Sequence, residues 1–260
     1  MNARFTLDDV TLGYDESVIS DSLSLSVPAG EFSVIVGPNA CGKSTLLKAL
    51  ARILKPMSGT ITLNGQALES FKAKEAARTV GLLPQNAIAP EKMLVRDLVA
   101  KGRAPHQSLL KQWSLTDAQA VRRAMELTNT LELADSAVDE LSGGQRQRVW
   151  IAMVLAQDTE TILLDEPTTF LDLKHQIEVL ELCKKLHREE GRTIVAVLHD
   201  LNQAARYATH LIAMKKGAVM AQGKPEEVVT QENIEVIFDL QSEIISDPIT
   251  HTPMVIPYGS

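Results

Sequence analysis

FSVIVGPNACGKST, residues 32–45, runs from an apolar stretch through a glycine-bounded turn into polar residues that open a helix. The five residues of FSVIV are short and nearly continuously apolar, the pattern of a strand buried on both faces. KSTLLKALARIL (43–54) repeats its leucines and isoleucine at helical spacing, at Leu46, Leu47, Leu50, Ile53 and Leu54. Gly37 to Ser44 fits the spacing G-x-x-x-x-G-K-[ST], and it lies after a strand and before a helix, the context that gives the pattern meaning. Gly37 and Gly42 permit backbone turns that a side chain would block. Successive N–H groups can then point inward and, with the helix N-terminus, form a nest for an anion. Gly37, Pro38, Asn39, Ala40, Cys41, Gly42, Lys43, Ser44 and Thr45 are therefore the candidate phosphate-binding residues. Lys43 would bring a point charge to the phosphates, and the Ser44 hydroxyl would serve a magnesium ion. Cys41, inside the loop, is expected to make the protein sensitive to thiol alkylation.

Around this loop the chain alternates strand and helix signals. FTLDDVTLGY and LSLSV alternate apolar and polar residues, as antiparallel strands do, and GTITLNG (59–65) reads as a strand turning at Asn64-Gly65. Residues 91 to 158 read as helical, broken by a loop around Pro105. TILLD (161–165) and TIVAVLH (193–199) return to the buried-strand pattern, with a helix between them over about 174–189. HLIAMKKGAVMAQG (210–223) reads as a hairpin turning at Lys215-Lys216-Gly217. This order predicts an α/β fold: a mostly parallel sheet flanked by helices, an N-terminal antiparallel β subdomain and an inserted helical subdomain.

Three further places carry candidate chemistry. TILLDEP puts Asp165 and Glu166 at the C-terminal end of a buried strand, where ligands sit in open α/β sheets. Asp165 can hold magnesium, and Glu166 could polarise an attacking water. His199 and Gln85 are ambiguous: the histidine could contact a terminal phosphate or be a structural residue, and the glutamine could reach the metal or the water, or cap a loop. LSGGQRQR (141–148) sets two glycines just ahead of a helix, although glycine costs about 1 kcal/mol at an interior helical position. Ser142 and Gln145 alone make a capping box, which does not require the glycines.

The 260 residues are 45% hydrophobic, enough for a sizeable core in one large domain or two intimate subdomains. A formal charge of −7 argues against a nucleic-acid-coating protein. Two cysteines, Cys41 and Cys183, suggest a reduced compartment. The N-terminus lacks the apolar segment of a signal peptide, and no uncharged apolar run approaches the ~18 residues that span a bilayer. A soluble chain is expected; membrane parts would come from other chains.

Taken together, the phosphate loop, LSGGQ and TILLDEP resemble the nucleotide-binding subunit of an ATP-binding-cassette (ABC) transporter, over about residues 4–258. The resemblance implies a P-loop NTPase (RecA-like) core over 4–240, with its helical insertion at about 91–158 and a short extension at 241–260. It implies ATP and Mg²⁺ as ligands. Tyr14 is implied to stack on adenine, Glu166, His199 and Gln85 to act in hydrolysis, and Ser44, Gln85 and Asp165 to serve the metal. Ser142, Gly143, Gly144, Gln145 and Asp172 are implied to act on ATP held by a second copy of the chain. Phe170-Leu171-Asp172 matches the loop after the catalytic glutamate, although Thr169 and Phe170 depart from the commoner Ser-Ala-Leu-Asp.

GRAPHQ (102–107), FLDLKHQIEVLEL, HDLNQAARYATHLIAMKKGAVMAQG and DPITHTPMVIP resemble ATPases of iron(III)-siderophore importers. With only a short stretch after Gly223, the regulatory domain of sugar-importer ATPases is not expected. Expected partners are a second copy, two transmembrane permease subunits reached through Gln85 and residues 86–110, and, indirectly, a periplasmic or surface solute-binding protein; nucleic acid is not expected. The expected location is peripheral, on the cytoplasmic face of the inner membrane. A vitamin B12 or haem importer is the alternative. A soluble cassette ATPase of translation or DNA repair is more remote, because such chains usually carry two cassettes, coiled-coil insertions or zinc insertions.

Overall fold

A computed structural model describes residues 2–107, 113–169 and 171–258. In chain order the strands and helices are β1 (Ala3–Tyr14), β2 (Ser17–Pro28), β3 (Phe32–Val36), α1 (Lys43–Leu50), β4 (Ser58–Leu63), β5 (Gln66–Ala67), α2 (Ala73–Thr79), β6 (Val80–Leu83), α3 (Val95–Lys101), α4 (Leu115–Leu127), α5 (Gly143–Ala156), β7 (Thr161–Asp165), α6 (Leu173–Glu190), β8 (Thr193–Val197), α7 (Leu201–Tyr207), β9 (His210–Lys215), β10 (Ala218–Gly223), α8 (Pro225–Val228), α9 (Gln231–Phe238), β11 (Ser242–Ser246) and β12 (Pro253–Pro257). They fall into two units: Met1–Ser70 with Leu186–Ser260, and Phe71–Lys185.

In the first unit, β3 runs parallel to both β8 and β9, and β10 closes on β9 as an antiparallel hairpin. All five residues of β3 and of β8 are buried, which explains their unbroken apolar runs. A separate antiparallel sheet has the order β2-β1-β4-β5. Its alternation holds on the inward face, where Phe5, Leu7, Leu23, Leu25 and Val27 are buried. The hairpin turns at Lys216 and Gly217, both with positive φ (47° and 82°). The helix expected over 43–54 ends at Leu50: Arg52 takes a left-handed φ of 61°, and the Ile53 N–H donates to the Lys48 carbonyl at 2.9 Å. That contact closes the last turn four residues sooner than periodicity alone suggests.

In the second unit, β6 and β7 pair in parallel, and α3, α4 and α5 pack on one another. Arg103 fixes this bundle from within. Its Nε donates to Asp117 at 2.8 Å and its Nη1 to the Ala156 carbonyl at 2.8 Å, with both charged side chains only 5% exposed. Hydrogen bonds from Ser114 and Arg103 hold the Asp117 carboxyl down to about 2 despite the opposing effect of burial. Sequence periodicity alone gave no warning of α2 and β6 before Gln85, nor of the β11–β12 hairpin near the C-terminus.

Candidate functional site

The first unit holds the phosphate loop. Gly37 leaves β3 with φ 152°, Ala40 has φ 60°, and Gly42, at φ 103°, is the N-cap of α1. A Cβ on Gly37 would lie 2.2 Å from the Met214 carbonyl oxygen and 2.8 Å from Cys41 Sγ, so both space and dihedral exclude a side chain there. Lys43 is 5% exposed, and its Nζ donates to the carbonyls of Gly37 and Pro38, each at 2.9 Å. These two bonds keep a buried ammonium satisfied within the loop's own curve. Asn39 and Ala40 at the loop tip are exposed.

Cys41 corrects the alkylation expectation. Its side chain is 4% exposed under the loop, and burial pushes the thiol up, with Lys43 opposing only part of that shift. A buried, protonated thiol is a poor nucleophile; Cys41 fills space beside Gly37.

Tyr14, at the end of β1, is 42% exposed, and the Lys48 ammonium of α1 sits 5.8 Å from its ring centroid. The ring thus stands beside the helix that the phosphate loop opens. His199 is exposed in the turn after β8, and the next residue, Asp200, caps α7 by accepting the Gln203 N–H at 2.9 Å.

The second unit holds the acidic strand end and the glycine pair. Asp165 closes β7 and is 3% exposed. Glu166 follows in a left-handed conformation, φ 53°, a strained backbone of the kind that gathers at functional positions. Its Oε2 accepts from Gln85 Nε2 at 2.7 Å and from Thr169 Oγ1 at 3.2 Å. Gln85 therefore touches the carboxylate itself, which settles its contact though not its role. Thr169, which stood out in the sequence only as a departure from a commoner residue, is the second group orienting Glu166. Gln147 was also missed: its Nε2 donates to the Pro167 carbonyl at 2.9 Å and pins the turn that follows.

At the start of α5, Ser142 and Gln145 form the capping box: Gln145 N–H to Ser142 Oγ at 3.3 Å, and Ser142 N–H to Gln145 Oε1 at 3.0 Å. Ser142 and Gly143 are exposed while Gly144 is buried. A Cβ on Gly144 would lie 2.9–3.0 Å from three atoms of the His175 ring. Asp172 precedes α6 and accepts from the His175 N–H at 2.9 Å, and its carboxyl is held below its ordinary value chiefly by that bond. Phe170 lies outside the described residues.

Among the described residues, no group of three or more His, Cys, Asp or Glu could hold a metal, and no helix is long and apolar enough to cross a membrane. Ser44 in the first unit offers a hydroxyl and Asp165 in the second a buried carboxylate, oxygen donors of the kind that magnesium takes.

The family pattern of ABC transporters matches residues 20–169. The chain is 52% identical to the ferric enterobactin transport ATP-binding protein FepC of Escherichia coli, covering 99% of this chain and 95% of that one. Among solved structures, it is similar over its whole length, and over 98% of the other chain, to an ABC transporter described as metal-chelate type and inward-facing, with TM-score 0.85 and 28% identity. A dimeric bacterial ABC transporter cassette covers 85% of this chain and 98% of its own, with TM-score 0.74 and 29% identity. The chain belongs to the ABC transporter family.

Proposed function

We propose that this chain is the ATP-hydrolysing subunit of an importer that carries an iron(III)-siderophore or a related iron chelate across the bacterial inner membrane. The ATP phosphates lie in the nest of Gly37–Thr45, and Lys43 exchanges its two carbonyl acceptors for phosphate oxygens. Tyr14 stacks on the adenine. Ser44, Gln85 and Asp165 would hold Mg²⁺, which would supply neutralisation of phosphate charge. Glu166 accepts the proton of the attacking water, and Gln85 and Thr169 aim its carboxylate. His199 donates a polar contact to the terminal phosphate.

Two copies pair so that the exposed Ser142 and Gly143 of one face the ATP of the other, with Asp172 nearby. That arrangement gives exposed helix-start N–H groups an anion to meet. The dimeric cassette neighbour supports pairing, and the FepC likeness supports both the chelate class and peripheral attachment to membrane permease subunits. A solute-binding protein would deliver the chelate to those permeases.

The observation that carries the reading is the oriented Glu166, a group that hydrolysis needs and nucleotide binding does not. The test is uptake by cells whose own copy is deleted, complemented with wild type or Glu166→Gln and offered radioiron on a catecholate or hydroxamate chelate, or on haem, or labelled vitamin B12. Restoration of iron-chelate uptake by wild type alone is expected. Restoration only of haem or vitamin B12 uptake would reassign the cargo. Full uptake with Glu166→Gln would overturn the hydrolytic role.

A further inference from the structure

The capping box of α5 needs no glycine, yet a side chain at 144 would crowd a group of the same chain. The His175 ring lies where a Cβ would be, with Cγ, Cδ2 and Nδ1 all within 3.0 Å of that point. The ring is itself held: Nδ1 lies 2.7 Å from Asp172 Oδ1, the same oxygen that accepts the His175 N–H at 2.9 Å. Asp172 thus caps α6 and fixes the imidazole against α5 in one arrangement.

Further along α5 the same face is tied twice more. Gln147 donates to the Pro167 carbonyl, and Arg148 pairs with Glu178 at 3.2 Å. Positions 144, 147 and 148 are spaced i, i+3, i+4 and share one face. The two outer ties hold the body of the helix, and His175 meets its first turn. Glycine at the first two positions of the helix weakens that turn relative to alanine, so it gains from an external support.

We propose that His175 is a positioning residue: it sets the first turn of α5 against Asp172, so that Ser142, Gly143 and Asp172 are presented together to the nucleotide held by the other copy. This rests on the reading that those residues act in trans. The glycine at 144 then serves an imidazole of its own chain, and the glycine at 143 is the one left bare for the ligand.

The test uses the full chain in a Glu166→Gln background, adding His175→Ala, His175→Asn, Gly144→Ala and the Gly144→Ala/His175→Ala pair. Two quantities are read: amide exchange at residues 142–146 without nucleotide, and the protein concentration at which ATP drives association. His175→Ala should speed exchange there and weaken association, each by about tenfold, with nucleotide affinity of the single chain unchanged. His175→Asn, whose amide can still donate to Asp172, should stay within about threefold of the parent. The double variant should be no worse than His175→Ala, because removing the ring removes the clash. Parent-like exchange in His175→Ala, or a Gly144→Ala defect that persists without the ring, would overturn the proposal. If the parent itself fails to associate with ATP, the trans reading falls, while the exchange measurement still decides whether His175 supports α5.

Discussion

The molecule opens two helices with glycine, and the two places use it for different reasons. At the phosphate loop, Gly37 and Gly42 take left-handed dihedrals, and Gly37 is hemmed in by the Met214 backbone, so the constraint is local and belongs to the main chain. At the start of α5, Gly144 is helical and meets only a side chain, the ring of His175, while Ser142 and Gly143 are exposed. The first place is complete within its own curve, with the Lys43 ammonium satisfied by Gly37 and Pro38. The second is a braced turn whose outer residues, Ser142 and Gly143, are exposed.

The sharpest break between the two should come from alanine. Gly37→Ala collides with a backbone carbonyl that cannot swing away, so a loss of more than about 3 kcal/mol in chemical denaturation is expected. Gly144→Ala meets a ring that can rotate, and a loss of about 1–2 kcal/mol is expected. Equal losses would erase the distinction between a main-chain and a side-chain constraint.

Next in size is nucleotide affinity. Lys43→Ala should weaken ATP binding by about a hundredfold, as expected for a buried charge-assisted contact, whereas Ser142→Arg should leave single-chain affinity within about twofold. Isothermal titration checks both. A large loss from Ser142→Arg would mean that the α5 turn touches nucleotide within its own chain.

Acid should also separate the regions. Asp117 is depressed to about 2 from an ordinary 3.8, so its stabilisation of the helical unit is fully present above pH ~4 and is lost as pH falls towards 2. Amide exchange across α4 should rise in that window before exchange across α1 does. Simultaneous loss would show that Arg103 and Asp117 do not support the helical unit by themselves. The smallest effect is Ser142→Ala, which removes one partner of an exposed capping box and should cost about 0.5–1 kcal/mol by thermal melting.

What could be read from the chain alone follows contact distance in sequence. The phosphate loop is contiguous, and its strand and helix flanks are periodic, so the loop, β3, β7 and β8 were all legible. The contacts that aim the chemistry join residues far apart. Gln85 reaches Glu166 across 81 positions, and Gly144 meets His175 on another helix. Neither leaves a local pattern. Thr169 was visible only as an oddity, because its value lies in one oxygen placed beside another. Cys41 misled for a related reason: exposure is a property of the folded loop, and the loop buries it. Helix α1 ended early because a left-handed Arg52 closed it, and arginine carries no turn signal.

The central claim is that each ATP is completed by two chains, and mixing two inactive variants tests it directly. Glu166→Gln and Ser142→Arg chains are each expected to be inactive alone while still binding ATP. In a mixed pair, the Ser142→Arg chain keeps its own phosphate loop and Glu166, and receives an intact Ser142–Gln145 turn from its partner. ATPase activity should therefore return on mixing, towards about a quarter of wild type if pairing is random and the two centres act independently. A mixture that stays inactive at every ratio, although mixed pairs form, would contradict the account.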